Sequence, residues 1–158
     1  MSALEDKLAR MGYTLPPPFK FPHPNRTGCV VVGNIVFVSG HGRDLPSLPN
    51  VRHTGKVGRD LSEEEGYATA RAVALSMLAS LNQQLGNLDR IKRIVRLFGM
   101  VNVAPGFNQT TAVINGFSEF IIELYGPERG AHTRSAVGMA ALPLDISVEI
   151  EAEVEVSG

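Results

Sequence analysis

Arg134 is the residue whose setting most invites chemistry. It opens an otherwise apolar segment (Ser135, Ala136, Val137, Gly138, Met139) just after a glycine-containing loop. A guanidinium there costs burial unless it meets an anion, either a carboxylate of the protein or that of a ligand. On the residue alone both remain open, with the structural ion pair slightly ahead. Glu149, Glu151, Glu153 and Glu155 alternate with apolar residues, and four carboxylates in such a row read first as a solvated face. His23, His41, His53 and His132 are scattered, with no i, i+4 pair and no neighbouring cysteine, so their spacing predicts no protein-bound metal. Cys29, the single cysteine, lies inside an apolar run, where a buried inert thiol is far commoner than a nucleophile. Arg90, Lys92, Arg93 and Arg96 could face RNA, but on a strand they point to both sides and read as solvated charges. The chain has no G-x-S-x-G, Walker loop or G-x-G-x-x-G, which removes the usual serine hydrolase, NTPase and dinucleotide fingerprints.

The elements that must position these residues follow from periodicity. Leu4, Leu8 and Met11 give a short amphipathic helix that Gly12 can stop, and Pro16, Pro17, Pro18, Pro22 and Pro24 keep residues 13–27 extended as a surface-hugging arm. Residues 29–32 and 35–38 flank Gly33-Asn34, the signature of a β-hairpin. Both hairpin arms are continuously apolar, so both faces of that sheet need cover. Residues 42–59 read as a long loop holding at most one short strand. Ser62 and Glu65 form a capping box for a helix of about six turns ending at Gly86. A strand over 90–103, a second amphipathic helix ending near Gly126, and strands over 134–141 and 146–156 complete the chain. This order predicts an α+β domain with two long helices on one sheet face, which leaves the other apolar face of the hairpin to a partner subunit.

Composition narrows the function. With 158 residues the chain fits one core, and 44% hydrophobic and 20% charged content is that of a globular protein. Lys+Arg 15 against Asp+Glu 16 gives a net charge of -1, so the basic excess that drives nucleic-acid binding is absent. A lone cysteine cannot form an internal disulfide, and no stretch is apolar enough to span a bilayer, so the expectation is a soluble protein of the cytoplasm.

Three segments carry a further resemblance: GNIVFVSG (33–40), Asn115 within the second helix, and RSAVGMAALPLDISVEIE (134–151). Together they resemble the reactive intermediate deaminase family, also called Rid or YjgF and formerly described as L-PSP endoribonuclease-like. The likeness spans residues 28–156, so the chain divides into an arm, 1–27, and a Rid-like domain, 28–158. The resemblance implies a chorismate-mutase-like fold assembled as a homotrimer with clefts between subunits, the cover that the apolar hairpin demands. It implies hydrolysis of enamines or imines without a cofactor. By position, Arg134 matches the arginine that holds the substrate carboxylate and Glu149 the acidic residue that orients or activates water, while Asn115, Ser39 and Gly40 match cleft positions. An ungapped count back from Ser39 puts Arg26 where active deaminases carry a tyrosine, and Ala136 stands where a cysteine is frequent. The rival expectation is therefore a non-catalytic small-carboxylate-binding or regulatory trimer. The family's older description adds a third, a ribonuclease or translation inhibitor.

Overall fold

The computed structural model describes residues 2–47 and 51–158. Five strands form one mixed sheet in the order β1-β2-β5-β3-β4: β1 (Cys29–Val32), β2 (Ile35–His41), β3 (Ile91–Asn102), β4 (Thr133–Met139) and β5 (Val148–Val156). All neighbouring pairs are antiparallel except β3 and β4, which run parallel because a helix connects them. Helices α2 (Glu63–Leu85) and α3 (Thr110–Tyr125) pack side by side on one sheet face; α1 (Ala3–Arg10) and α4 (Pro127–Gly130) are short additions. The expected fold class and the two-helix layer are present.

Local chemistry explains most boundaries. The Ser62 hydroxyl accepts from the Glu65 amide and the Glu65 carboxylate from the Ser62 amide, so the capping box starts α2; Gly86 ends it at φ 74°. The same box, Ser2 with Glu5, starts α1, whose Ala3 and Leu4 amides also donate to the Asp89 carboxylate. In the hairpin Gly33 takes φ 60°, which only glycine adopts without strain. Val148, Ile150, Ala152, Val154 and Val156 of β5 are buried under the helices, and the four glutamates between them take the opposite face. The alternation expected from Ile146 onward begins two residues later, because Pro143–Asp145 forms a 3₁₀ turn in which Leu144 and Asp145 both have positive φ.

Other differences have clear causes. In α2 every residue from Ala72 to Leu81 is buried, since α3 covers one flank and the arm around Gly28 meets Ser80 on another. Among the described residues the 42–59 loop forms isolated bridges only, Thr54 to Ile146 and Val57 to Leu61 and Val103; residues 48–50 lie outside them. The hairpin's second face is uncovered in the single chain, with Val30, Val32 and Phe37 at 51%, 59% and 48% exposure. No helix among the described residues is long and apolar enough to cross a membrane.

Candidate active site

Arg134 sits near the start of β4 and reaches under α3. Its Nη1 donates to Ser118 Oγ at 2.8 Å and its Nη2 to Asn115 Oδ1 at 2.7 Å and to the Thr111 carbonyl at 3.3 Å. Ser118 Oγ also lies 2.9 Å from His132 Nε2, and His132 Nδ1 lies 2.7 Å from the Gly130 carbonyl. A carbonyl only accepts, so Nδ1 carries the imidazole proton and Nε2 accepts from the Ser118 hydroxyl. Burial, and secondarily the charge of Arg134, holds His132 below its usual range, which keeps it neutral in this role. No carboxylate among the described residues lies within ion-pair distance of Arg134; Glu119 acts on it only through its field. The structural ion pair favoured by the sequence is thus replaced by neutral acceptors on α3, and among the described residues two of the five guanidinium N–H groups have no partner. Asn115 positions the arginine rather than standing apart from it.

Glu149 lines a cavity of about 520 Å³. The cavity opens where β2 runs out and β5 begins, and the arm supplies much of its wall: Phe19, Phe21, His23 and Arg26, with Arg43 and Leu144 also lining it. Burial, and after it the charge of Glu151, pushes the Glu149 carboxyl above its usual range, while Arg26 pulls it back. A carboxyl held above its usual range gives up its proton less readily than an exposed one and, once ionised, is the stronger base toward a bound water. Gly40 is required beside it, since a Cβ there would overlap the Glu149 carboxylate. Ser39 does not face the cavity contents: its hydroxyl donates to the Thr27 carbonyl at 2.6 Å and its amide to Gly28, tying the arm to β2. His41, buried next to it, bonds the Ser39 carbonyl and Ser80 Oγ. Burial likewise pushes the Cys29 thiol up to about 11, which leaves it protonated and inert.

The two centres do not meet within one chain. Arg134 is in register with Leu97 of β3 and Glu149 with Met100 of the same strand. Leu97 is buried against the helices and Arg134 bonds α3, so the arginine belongs to the helical face; Glu149 alternates with buried Val148 and Ile150 and belongs to the open one. The sheet stands between them. Of the residues that serve each centre, the sequence reading named Asn115, Gly40 and Arg26 and missed Thr111, Ser118, Phe19, Phe21 and Arg43. For Arg134 a signal existed, since Thr111, Asn115 and Ser118 are polar at the helical spacing of one face. For Glu149 the count back from Ser39 reached Arg26, but nothing pointed to Phe19 or Phe21, which come from an aperiodic arm.

Comparison with known proteins agrees with this architecture. Residues 6–153 match the family described as YjgF/chorismate mutase-like, whose description also carries an endoribonuclease label. The chain belongs to this family. It is 40% identical to "Protein TCP17" of Trypanosoma cruzi over 151 residues, 95% of this chain and 92% of that one. The crystal structure of Atu1372 from Agrobacterium tumefaciens, a protein of unknown function, superposes with a TM-score of 0.85 at 37% identity, covering 98% of this chain and 92% of that one. The YjgF gene product of E. coli is more distant, with a TM-score of 0.57 and 26% identity over 90% of this chain and 94% of that one.

Proposed function

We propose that this protein hydrolyses enamine or imine intermediates derived from amino acids, with Glu149 managing the proton and Arg134 holding the substrate carboxylate. The observation that carries the reading is a half-buried carboxyl, raised above its usual range, on the floor of a cavity of about 520 Å³. In the protonated imine the carbon is already electrophilic. Glu149 as carboxylate accepts a proton from water while the water oxygen bonds that carbon. That proton passes from Glu149 to nitrogen, the C–N bond breaks to release ammonia, and the carbinol O–H proton goes to the Glu149 carboxylate as the C=O forms and from there to ammonia, yielding a 2-oxo acid and ammonium. No cofactor enters this balance. The setting proposed is the cytoplasm, where reduced Cys29 persists.

Since the sheet separates Arg134 from Glu149, a complete site on this reading draws the two from different copies, and the exposed Val30, Val32 and Phe37 supply an apolar surface for a homotrimer. Mixing tests this directly. Arg134→Ala and Glu149→Gln chains, each inactive alone, should on co-refolding regain activity at about a quarter of the clefts, by random assortment in a closed ring. The readout is pyruvate release when a pyridoxal-phosphate dehydratase supplies 2-aminoacrylate. Absence of recovery from a folded mixed oligomer overturns the shared site, and absence of acceleration by the unmutated protein overturns the deaminase. The second outcome favours the alternative of a non-catalytic carboxylate binder, for which Arg26 in the cavity, a guanidinium suited to gripping an anion, is the supporting observation. A ribonuclease reading draws on the family's label alone and is opposed by the net charge of -1.

A further inference from the structure

The arm does more than wall the cavity. Phe19 and Phe21 meet edge to face with ring centroids 4.8 Å apart, and each ring carries a guanidinium: Arg43 lies 5.9 Å from the centroid of Phe19, and Arg26 lies 5.6 Å from that of Phe21. Cation–π contact fixes such a group by its flat face and leaves its N–H edge free to grip an oxyanion. Among the described residues neither arginine has a hydrogen-bonded side-chain partner or a carboxylate within ion-pair distance. Both line the same cavity as Glu149, with His23 beside them. Two cations against one carboxyl leave the cavity with spare positive charge. Its volume of about 520 Å³ also falls among the ~300–1,000 Å³ pockets that house ligands much larger than the smallest amino-acid enamine.

We propose that Arg26 and Arg43, propped on Phe21 and Phe19, form a second anion subsite, so that the preferred ligand carries an oxyanionic group on its side chain in addition to its 2-carboxylate. The proposal rests on the cavity being the ligand site of the function proposed above, and it names the substrate class: acidic-side-chain rather than small neutral 2-imino acids. A carboxylate and a phosphate share the required chemistry.

Calorimetric titration with stable 2-oxo acids tests it. The probes are 2-oxobutyrate, with one anionic group, 2-oxoglutarate, with a second carboxylate, and 3-phosphohydroxypyruvate, with a phosphate. The expected result is that at least one of the two dianions binds about tenfold or more tightly than 2-oxobutyrate, the effect of one charge-assisted pair. The tighter of the two identifies the side-chain group. Arg26→Gln and Arg43→Gln, made singly and together and checked by thermal melting, should remove that preference, bringing the dianions down to the affinity of 2-oxobutyrate for the same variant. Arg134→Ala should weaken all three probes alike. If the unmutated protein binds 2-oxobutyrate as well as the dianions, or the preference survives in the folded double variant, the second subsite is overturned and the deaminase reading stands. If the dianions bind through Arg26 and Arg43 but Arg134→Ala changes nothing, the subsite stands and the Arg134 reading falls. If no probe binds, both are overturned.

Discussion

At Glu149 the sign of the proton linkage can be worked out. Burial raises its pKa in the folded chain, so the fold holds this proton more tightly than the unfolded chain does. Stability from that proton is present in acid and is lost as pH rises through the folded value. Glu149→Gln should therefore melt higher than the unmutated protein at neutral pH and converge with it in acid, as thermal scans over a pH series will show. The same change should cost about 10²–10⁴ in turnover, the usual worth of general acid–base assistance, whereas Glu153→Gln and Glu155→Gln should cost little. Arg26 opposes the upward shift, so Arg26→Gln should move the acid limb of the pH–rate profile to higher pH. Arg134→Ala should leave the fold intact, because its partners are neutral groups on α3 rather than a buried carboxylate. It should weaken carboxylate binding by about 1.5–3 kcal/mol, roughly ten- to 150-fold. Retained affinity in a folded Arg134→Ala protein removes that residue from the site.

Among the elements, two glycines separate packing from function. At Gly116 a Cβ would overlap the Tyr67 carbonyl, so α2 and α3 approach closely only because this residue has no side chain. Gly116→Ala should destabilise by about 1–3 kcal/mol or more, the cost of overpacking, visible in denaturant melts. At Gly40 the overlap would be with the far end of a flexible side chain, the Glu149 carboxylate. Gly40→Ala should therefore fold normally and lose turnover, a contrast that an assay beside a melt resolves. The elements themselves were legible wherever a local code operates: the capping box at Ser62, the Gly33 turn, and the strict alternation of Val148 to Val156. The role of the arm was not, since Phe19, Phe21 and Arg26 gain meaning only by lining one cavity with Glu149, which lies far along the chain. Arg134 and Glu149 were singled out by type and by resemblance, but their separation by the sheet depends on register, which one strand cannot reveal.

For the whole molecule the apolar hairpin face sets the expectation. A homotrimer of about 51 kDa, three times the 17.0 kDa chain, should appear in light scattering at micromolar concentration. Phe37→Asp, on the exposed face, should shift the mass toward the single chain without unfolding it, and activity should fall with the oligomer. A 17.0 kDa species with full activity in the unmutated protein would defeat the shared-cleft reading.

The sheet order β1-β2-β5-β3-β4 carries a consequence for synthesis. β5 comes last in chain order but lies in the middle of the sheet, between β2 and β3. As the chain leaves the ribosome at about 5–20 residues per second, the hairpin and the β3–α3–β4 unit each emerge with an unpaired edge and an open apolar face. Neither half can close on the other until residues 148–156 arrive as the shared partner. A stalled or truncated nascent chain therefore presents two sticky half-sheets, and the last strand acts as the fastener that makes the domain one cooperative unit.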